Sequence, residues 1–194
     1  MTFKHVARLG FVLTLAAATA CQGDGATAPT AATTPPRLEV VNPAVTASVL
    51  TRTTPLDADY TVSKIIGPLG GSLSVPGGLK ITVPPLALRR VVILTATALK
   101  GNMVAYEFGP HGTVFNVPLV MTQDLRGTSG EGMTGVSTTE VGYFLDRAKL
   151  DFASDKASIN EFLPASLSVS LTGESLTYSV KHFSGYVIVT GRNP

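Results

Sequence analysis

The sequence predicts an all-β fold, an antiparallel β-sandwich of short strands joined by Gly/Pro turns and preceded by a signal peptide and a disordered tether. Apolar and polar residues alternate with a period of two in runs such as 79–83 and 176–180, which is typical of half-buried strands. The chain of 194 residues contains 19 glycines and 13 prolines, and they interrupt it at short intervals. No amphipathic helical pattern of useful length follows the N-terminal segment. Short, regularly interrupted strands are typical of a sandwich or an open barrel.

Residues 1–20 carry the features of an export signal. Lys4 and Arg8 form a short positive region, and residues 9–17 are apolar but too few to span a bilayer. Cys21 follows directly. This order resembles a bacterial lipoprotein signal, and the resemblance implies that Cys21 becomes the lipidated first residue of a protein anchored in the bacterial cell envelope. Gln22 is compatible with sorting to the outer membrane in that family.

An ordinary signal peptide cut after Ala20 is the alternative, because Ala18 and Ala20 also fit the small-residue cleavage pattern. Lipoprotein signals usually have Leu three residues before the cysteine, and this sequence has Ala18 at that position. Lipidation is favoured because Cys21, the only cysteine, stands where the apolar run ends. An unlipidated product would begin with an exposed free thiol in an oxidising compartment.

Residues 21–36 are predicted to be a disordered tether. After Cys21 they contain one charged residue, Asp24, and no large apolar side chain, so they cannot bury enough surface to offset the entropy of ordering. As a flexible coil such a segment extends roughly 20 Å. It would hold a domain just off a membrane surface without reaching across a wide periplasm.

Composition excludes several classes of function. Removal of Lys4 and Arg8 from the 15 basic residues leaves 13 to balance the 13 acidic ones, and this neutral chain without basic runs argues against nucleic acid as a partner. A single cysteine excludes an intrachain disulfide and a thiolate zinc site. The histidines, His5, His111 and His182, have no carboxylates at ligand spacing. No metal, cofactor or small-molecule substrate is therefore predicted.

The remaining chain is divided into a first β region, residues 37–125, and a C-terminal β extension, residues 126–194, that completes the sandwich. Pro118 lacks an N–H group and interrupts the strand around it, which indicates an edge strand or a bulge. The run 91–99 begins apolar on both faces and is predicted to be central. A short helical turn is expected within residues 149–163. The predicted strands span residues 37–41, 45–50, 60–66, 72–75, 79–83, 91–99, 104–108, 115–121, 140–145, 167–171, 176–180 and 185–189.

Three sequence blocks in this order resemble a ZU5 domain. They are Ile-Gly-Pro-Leu-Gly-Gly-Ser-Leu at 66–73, Val-Pro-Pro-Leu-Ala-Leu at 83–88 and Gly-Pro-His-Gly-Thr-Val-Phe-Asn-Val-Pro at 109–118. The resemblance covers about residues 62–122. It implies a module whose main role is protein interaction. Leu86 stands where the family usually has glycine, so this corner is predicted to need no positive φ, as in a type I turn.

The tripeptide His182-Phe183-Ser184 is the sharpest chemical candidate. Some ZU5-containing proteins are thought to cleave themselves within this tripeptide, and the resemblance implies that Ser184 Oγ attacks the Phe183 carbonyl while His182 accepts the proton. His182 continues the inward phase set by residues 176–180, which predicts partial burial. The other interpretation is a hydrogen-bonded histidine at a strand end, with Phe183 packed and Ser184-Gly185 forming a bulge.

Three further positions have a chemical and a plain interpretation. Arg89 and Arg90 are either an anion clamp or a solvated strand edge that blocks aggregation. His111 is interpreted as an exposed turn residue. Asp57 and Asp59 resemble half of a metal loop, but no glycine turn or distant glutamate completes it, and they are interpreted as solvated loop residues.

The sequence therefore predicts a non-enzymatic, lipid-anchored module of the bacterial cell envelope that binds another envelope protein or has a structural role. The first alternative is a self-cleaving module that cuts between Phe183 and Ser184. The second is a surface-polysaccharide binder. The absence of tryptophan and the low aromatic content of 7% count against that second alternative.

Overall fold

A computed structural model describes residues 44–133, 140–170 and 173–192. The predicted signal peptide, Cys21, the tether and the strand predicted at 37–41 lie outside these residues. The described strands are β1 Val45–Val49, β2 Thr51–Leu56, β3 Tyr60–Ile66, β4 Gly71–Val75, β5 Leu79–Val83, β6 Val92–Ala98, β7 Gly101–Met103, β8 Ala105–Gly109, β9 Val114–Asp124, β10 Glu140–Phe144, β11 Leu150–Asp151, β12 Lys156–Ile159, β13 Glu161–Ser170, β14 Gly173–His182 and β15 Gly185–Arg192.

All pairings between these strands are antiparallel, and the predicted antiparallel β-sandwich is confirmed. The one described helical element is a 3₁₀ turn, Arg147–Lys149, which starts two residues before the region where a helical turn was expected. None of the helical structure in the described residues is long and apolar enough to cross a membrane.

Apart from β2 and β7, which form a separate two-stranded sheet, the strands form two layers that share β13. One layer has the order β4-β5-β9-β14-β13, and the other runs β3-β6-β8-β15-β10-β13, with β1, β12 and β11 added beside β15. The first half of β13 pairs with β10 and its second half pairs with β14, so this strand passes from one layer to the other. The strands β9, β14 and β15 therefore join the two predicted regions, 37–125 and 126–194, in one hydrogen-bonded structure.

The central strand of the second layer is β15. One of its edges pairs with β10 along residues 185–189, and the other pairs first with β8 and then with β1. Its run Tyr186-Val187-Ile188-Val189 is buried on both faces. Tyr186 and Ile188 belong to the core between the layers, whereas Val187 and Val189 belong to a smaller core beneath β1, β11 and β12. A continuous apolar run is what a strand covered on both faces requires.

The antiparallel connections bring four segments to the same end of the sandwich. They are the β3–β4 turn (67–70), the β5–β6 connection (84–91), the β8–β9 connection (110–113) and the β14–β15 connection (183–184). We call this the corner end. Ala44 leads into β1 at the opposite end, beside the last residues of β15. The two ends are separated by the length of β15, about 23 Å at the usual rise per residue.

Pro118 lies in an irregular part of β9. Leu119 pairs with Val180 and Val114 with His182, so more residues of β9 than of β14 lie between these two pairs. This confirms a bulge, and β9 is not an edge strand because β5 and β14 pair with its two sides. The bulge also explains why Val117 is 37% exposed, whereas strict alternation predicts that it is buried.

Candidate functional site: the corner cleft

The corner end contains an open cleft of about 720 Å³ between the β5–β6 and β8–β9 connections. We call it the corner cleft. Its walls come from residues 87–90 and 92 on one side and from residues 110–114 and 116 on the other. The backbone bond from Asn116 N–H to the Ala87 carbonyl, 3.0 Å, ties the two walls together at the base. All three sequence blocks that resemble a ZU5 domain therefore meet at the corner end.

The first wall begins at a strained turn. Leu86 has a φ of 66°, in the left-handed region that favours glycine, so the prediction that this corner needs no positive φ is wrong. The Leu86 N–H donates to the Pro68 carbonyl at 2.7 Å, which ties this corner to the β3–β4 turn. The tertiary bond holds Leu86 in a conformation that its own sequence disfavours.

Arg89 and Arg90, the arginine pair, stand on the wall between this turn and β6. The arginine pair precedes the first residue of β6, and β6 pairs with both β3 and β8, so these residues are solvated as interpreted but do not lie on an edge strand. Both side chains are exposed. Neither forms an ion pair or a hydrogen bond with any residue in the described part of the chain, and no carboxylate lines the cleft.

The main chain of this wall offers further donors. Residues 87–91 bend without forming a strand, and the backbone N–H groups of Arg89 and Arg90 have no acceptor among the described residues. The wall thus presents guanidinium groups and main-chain N–H groups together. All of these groups are hydrogen-bond donors.

The second wall is the Pro-His-Gly turn. The Thr113 N–H and hydroxyl both donate to the Pro110 carbonyl, at 3.2 and 2.7 Å, which closes the turn. Gly112 has a φ of 73°, and no atom lies within 4 Å of the position that a Cβ would take. His111 is exposed, as predicted for a turn residue, and it lines the cleft. The turn therefore adds an imidazole to the two guanidinium groups that line the cleft.

Beneath the second wall lies the tripeptide His182-Phe183-Ser184. The Phe183 N–H donates to the Thr113 carbonyl at 2.9 Å, and the Gly112 N–H donates to the Phe183 carbonyl at 3.2 Å. The Ser184 carbonyl accepts from the Phe108 N–H at 2.9 Å. The Pro-His-Gly turn and the end of β14, far apart in sequence, are thus joined by backbone hydrogen bonds at the corner end.

The side chain that points into the core from this tripeptide is Phe183. The register of β14 against β9 shifts between Val180 and His182, and Phe183, 1% exposed, then packs against Phe108 and Phe115 at ring-centroid distances of 5.2 and 4.8 Å. The prediction that His182 continues the inward phase is therefore wrong, because the shift moves the inward position to the next residue.

His182 is half-buried against the outer side of this corner. Its ring lies edge-on to Tyr143, with centroids 5.3 Å apart. The Tyr186 hydroxyl donates to the His182 carbonyl at 2.9 Å and lies 3.3 Å from its Nδ1. Burial, followed by the nearby Glu161 carboxylate, raises the pKa of Tyr186 far above its usual value, so this phenol stays a donor.

Ser184 is 5% exposed, and its Oγ forms no hydrogen bond with the described residues. The carbonyl of the preceding residue, Phe183, accepts from the Gly112 N–H. Among the described residues, only the Tyr186 side chain hydrogen-bonds to His182.

Exposed apolar side chains surround the corner cleft. Leu69 and Leu86 are 91% and 70% exposed on adjacent turns, and Val114 is 74% exposed on the cleft wall. Ile65 and Ile93 pair directly across β3 and β6 and are both exposed. Their clustering at one end of a sandwich is typical of an interaction surface.

The candidate metal residues have other partners. Asp59 accepts from the Arg147 guanidinium and from the Lys100 N–H, and the Arg147 hydrogen bond holds the pKa of this carboxyl below its usual value. Asp57 accepts from the Tyr60 hydroxyl. Within the described ranges no group of three or more His, Cys, Asp or Glu side chains could hold a metal ion.

Comparison of the sequence with models of known protein families and with curated proteins finds no match. The sequence indicated His182 and Ser184 as candidate chemical residues and allowed two interpretations of Arg89 and Arg90. It did not predict the corner cleft. The one available signal was that the arginine pair follows the Val-Pro-Pro block directly, and only the tertiary structure places that block opposite the Pro-His-Gly turn.

Proposed function

We propose that this protein is a non-enzymatic binding module, anchored to the bacterial cell envelope through a lipid on Cys21, and that the corner cleft is the surface that receives its partner. The observation that carries the proposal is the arginine pair, which lines a cleft without a carboxylate and has no partner in the described part of the chain. Exposed cations beside exposed apolar side chains favour a protein partner.

The direction in which the chain enters the domain supports this role. Ala44 leads into β1 at the end opposite the corner cleft. The corner cleft therefore lies at the opposite end of the domain from Ala44, the first described residue. This support rests on the predicted lipid anchor and on the tether of residues 21–36.

Site-specific crosslinking in cells tests the cleft. A photo-crosslinking amino acid at Val114, on the cleft wall, is expected to trap one partner protein, identified by mass spectrometry. The matched control is Val169, an equally apolar residue that is 60% exposed near the other end of the sandwich. Trapping of the same protein from both positions, or from neither, would contradict the proposal.

Fractionation of the Cys21→Ser variant tests the anchor separately. The wild-type protein is expected in the membrane fraction and the variant in the soluble fraction, because several acyl chains on one residue hold a protein far more firmly than a single chain does. If the variant stays with membranes as the wild type does, a lipid on Cys21 is not what holds the protein there.

Self-cleavage between Phe183 and Ser184 is the second candidate function. Supporting it are the Ser184 Oγ without a described hydrogen-bond partner and the Gly112 N–H donated to the Phe183 carbonyl, since a preset donor stabilises charge that develops on that oxygen. Ser184 Oγ would form an ester with the Phe183 carbonyl carbon as the peptide C–N bond breaks. The proton would pass through His182 to the released amine, and water would then hydrolyse the ester.

Intact-mass analysis of the purified protein tests this candidate. Self-cleavage predicts loss of a fragment of residues 184–194 from the wild type under denaturing conditions, and no loss from Ser184→Ala. A single uncut wild-type mass would refute it. The same spectrum reports whether Cys21 is acylated.

A further inference from the structure

We propose that the corner cleft recognises an acidic, extended peptide segment of the partner, with carboxylates bound by Arg89 and Arg90 and main-chain carbonyls bound by the N–H groups of the same residues. This inference rests on the proposed function, because it takes the corner cleft to be the binding surface. It adds the chemical class of the partner.

The arginine pair differs from the other exposed arginines of the domain because those arginines form ion pairs. Arg126, Arg147 and Arg192 each bind a carboxylate within the domain, at 2.5 to 2.6 Å. These arginines are at least partly exposed, as the arginine pair is, so exposure alone does not account for the difference. Among the described residues, every exposed or partly exposed arginine outside the corner cleft is paired with a carboxylate.

Donors without acceptors define what the cleft can bind. The guanidinium groups of the arginine pair and the main-chain N–H groups of the same two residues have no acceptor in the described structure. A planar guanidinium fits a carboxylate with two parallel hydrogen bonds. An extended peptide supplies carboxylates from its side chains and carbonyls from its main chain, and it satisfies both kinds of donor at once.

The apolar residues of the cleft indicate which side chains flank the acidic residues of the bound peptide. Val92 and Val114 line the cleft beside the donors, so side chains that flank the acids are expected to be apolar. Alternating acidic and apolar residues place these groups on opposite faces of an extended chain. A short segment of this pattern is the partner that matches both walls.

An anionic membrane surface is the competing partner, and the structure favours the peptide. The arginine pair lines a concave cleft, whereas a bilayer presents a broad surface to protruding loop tips. In addition, the chain enters the domain at the opposite end. These two observations make peptide binding the inference and membrane binding an outcome of the test.

The experiment uses the full chain with Cys21→Ser and three end-blocked synthetic peptides. The acidic peptide is Val-Asp-Val-Glu-Val, the neutral one is Val-Asn-Val-Gln-Val, and the basic one is Val-Lys-Val-Lys-Val. Fluorescence anisotropy of labelled peptides is expected to show binding of the acidic peptide, at least about ten-fold weaker binding of the neutral one, and none of the basic one. Affinity for the acidic peptide should fall as salt rises.

Matched double variants locate the binding. Arg89→Gln/Arg90→Gln is expected to weaken binding of the acidic peptide about a hundred-fold, because two charge-assisted contacts are lost. Arg126→Gln/Arg192→Gln removes the same charge at the opposite end and should change affinity less than about two-fold. Thermal unfolding checks that both variants fold. Amide chemical-shift changes from the acidic peptide should concentrate in residues 87–92 and 110–116.

Three results would overturn the inference. They are equal binding of the acidic and neutral peptides, an equal loss of binding in the two double variants, and binding of anionic vesicles (phosphatidylglycerol with phosphatidylcholine) through the arginine pair in place of the acidic peptide. If the peptides fail while Val114 still crosslinks one partner in cells, the partner class is wrong and the proposed function stands. If both experiments fail, the cleft is not a binding surface.

Discussion

The exposed arginines at the two ends of the sandwich differ in whether they are paired with a carboxylate of the same domain. At the end where the chain enters, Arg126 binds Asp124 and Arg192 binds Glu140, so both of these exposed arginines have a carboxylate of the same domain. At the corner end the arginine pair has no such partner among the described residues, and no carboxylate lines the cleft beside it. Each pair at the entry end connects neighbouring strands or the ends of one turn.

The difference distinguishes arginines that are neutralised by a carboxylate of the domain from arginines that are available to a carboxylate of a partner. Exposed ion pairs contribute little to stability, but each one lowers the attraction of its arginine for any other acid. The unpaired cations at the corner end keep that attraction. The corner end also contains Leu86, whose backbone is strained, and a group of exposed apolar side chains. Both features raise the free energy of the folded protein, and binding of a partner at the corner cleft would offset part of that cost.

The base of the corner end gives the largest expected effect. Phe183→Ala should lower the free energy of unfolding by about 3–5 kcal/mol, because the ring is fully buried between Phe108 and Phe115 and its loss leaves a cavity. Chemical denaturation measures the change. Val114→Ala, at an exposed site of the same corner, is the control and should cost less than about 0.5 kcal/mol. Equal effects would show that the corner lacks a rigid base.

Arg52 tests the other end. It is 7% exposed, donates to the Met103 carbonyl and lies over the Tyr106 ring at 5.6 Å, and its Nε and Nη2 have no hydrogen-bond partner among the described residues. Arg52→Met is expected to raise the free energy of unfolding by about 1 kcal/mol, since it removes a buried charge with unsatisfied donors and keeps an apolar stem. Urea denaturation of this variant beside Arg89→Gln/Arg90→Gln, expected within about 0.5 kcal/mol of wild type, checks it. A clear loss of stability in Arg52→Met would show that the charge has a partner.

The strained turn of the corner end is tested by Leu86→Gly. Left-handed backbone costs a non-glycine residue about 1–2 kcal/mol, and the extra flexibility of glycine in the unfolded chain offsets part of this, so the variant should gain about 0.5–1 kcal/mol. Leu69→Gly, in the neighbouring turn and even more exposed, has no positive φ to relieve and should lose about 0.5 kcal/mol. Thermal or urea unfolding separates the two. The same sign for both variants would contradict a strained Leu86.

The smallest expected effect is the acid sensitivity of the entry end. The hydrogen bond from Arg126 lowers the pKa of the Asp124 carboxyl below its usual value of 3.8. A carboxyl with a lowered folded pKa stabilises the protein above its unfolded pKa, and this contribution is lost as pH falls through the folded value. Because both side chains are substantially exposed, the effect should be at most about 0.5 kcal/mol.

Unfolding midpoints measured from pH 6 down to pH 2 check this. Asp124→Asn should flatten part of the acid decline, whereas Arg89→Gln/Arg90→Gln should leave it unchanged because none of the described residues that line the corner cleft carries a carboxylate. An identical decline in wild type and Asp124→Asn would show that the ion pair has no effect on stability.

Local patterns predicted much of the fold. The alternation in residues 79–83 corresponds to β5, and the apolar run near residue 91 corresponds to the inner strand β6. Pro118 marked the bulge in β9 because its missing N–H is a property of the residue alone. Predictions failed where a partner strand decides: the register shift after Val180 turned Phe183 inward in place of His182.

The candidate site was predictable in its parts and not as a whole. The three blocks and the arginine pair can be recognised in the sequence. That they lie at the same end of the domain depends on strand pairings such as β9 with β14 and β15 with β8, which join segments far apart in the chain. Leu86 shows the limit most clearly. Its side chain disfavours positive φ, and the bond from its N–H to Pro68 holds it there.

What the amino-acid sequence determined by itself is therefore the class of fold and the positions of its turns, because period-two alternation, glycine and proline act within a few residues. What only the tertiary structure decided is which turns face each other, which residues point into the core at a register shift, and which arginines find a carboxylate. Those outcomes depend on contacts between strands that are distant in sequence, and the corner cleft arises from them.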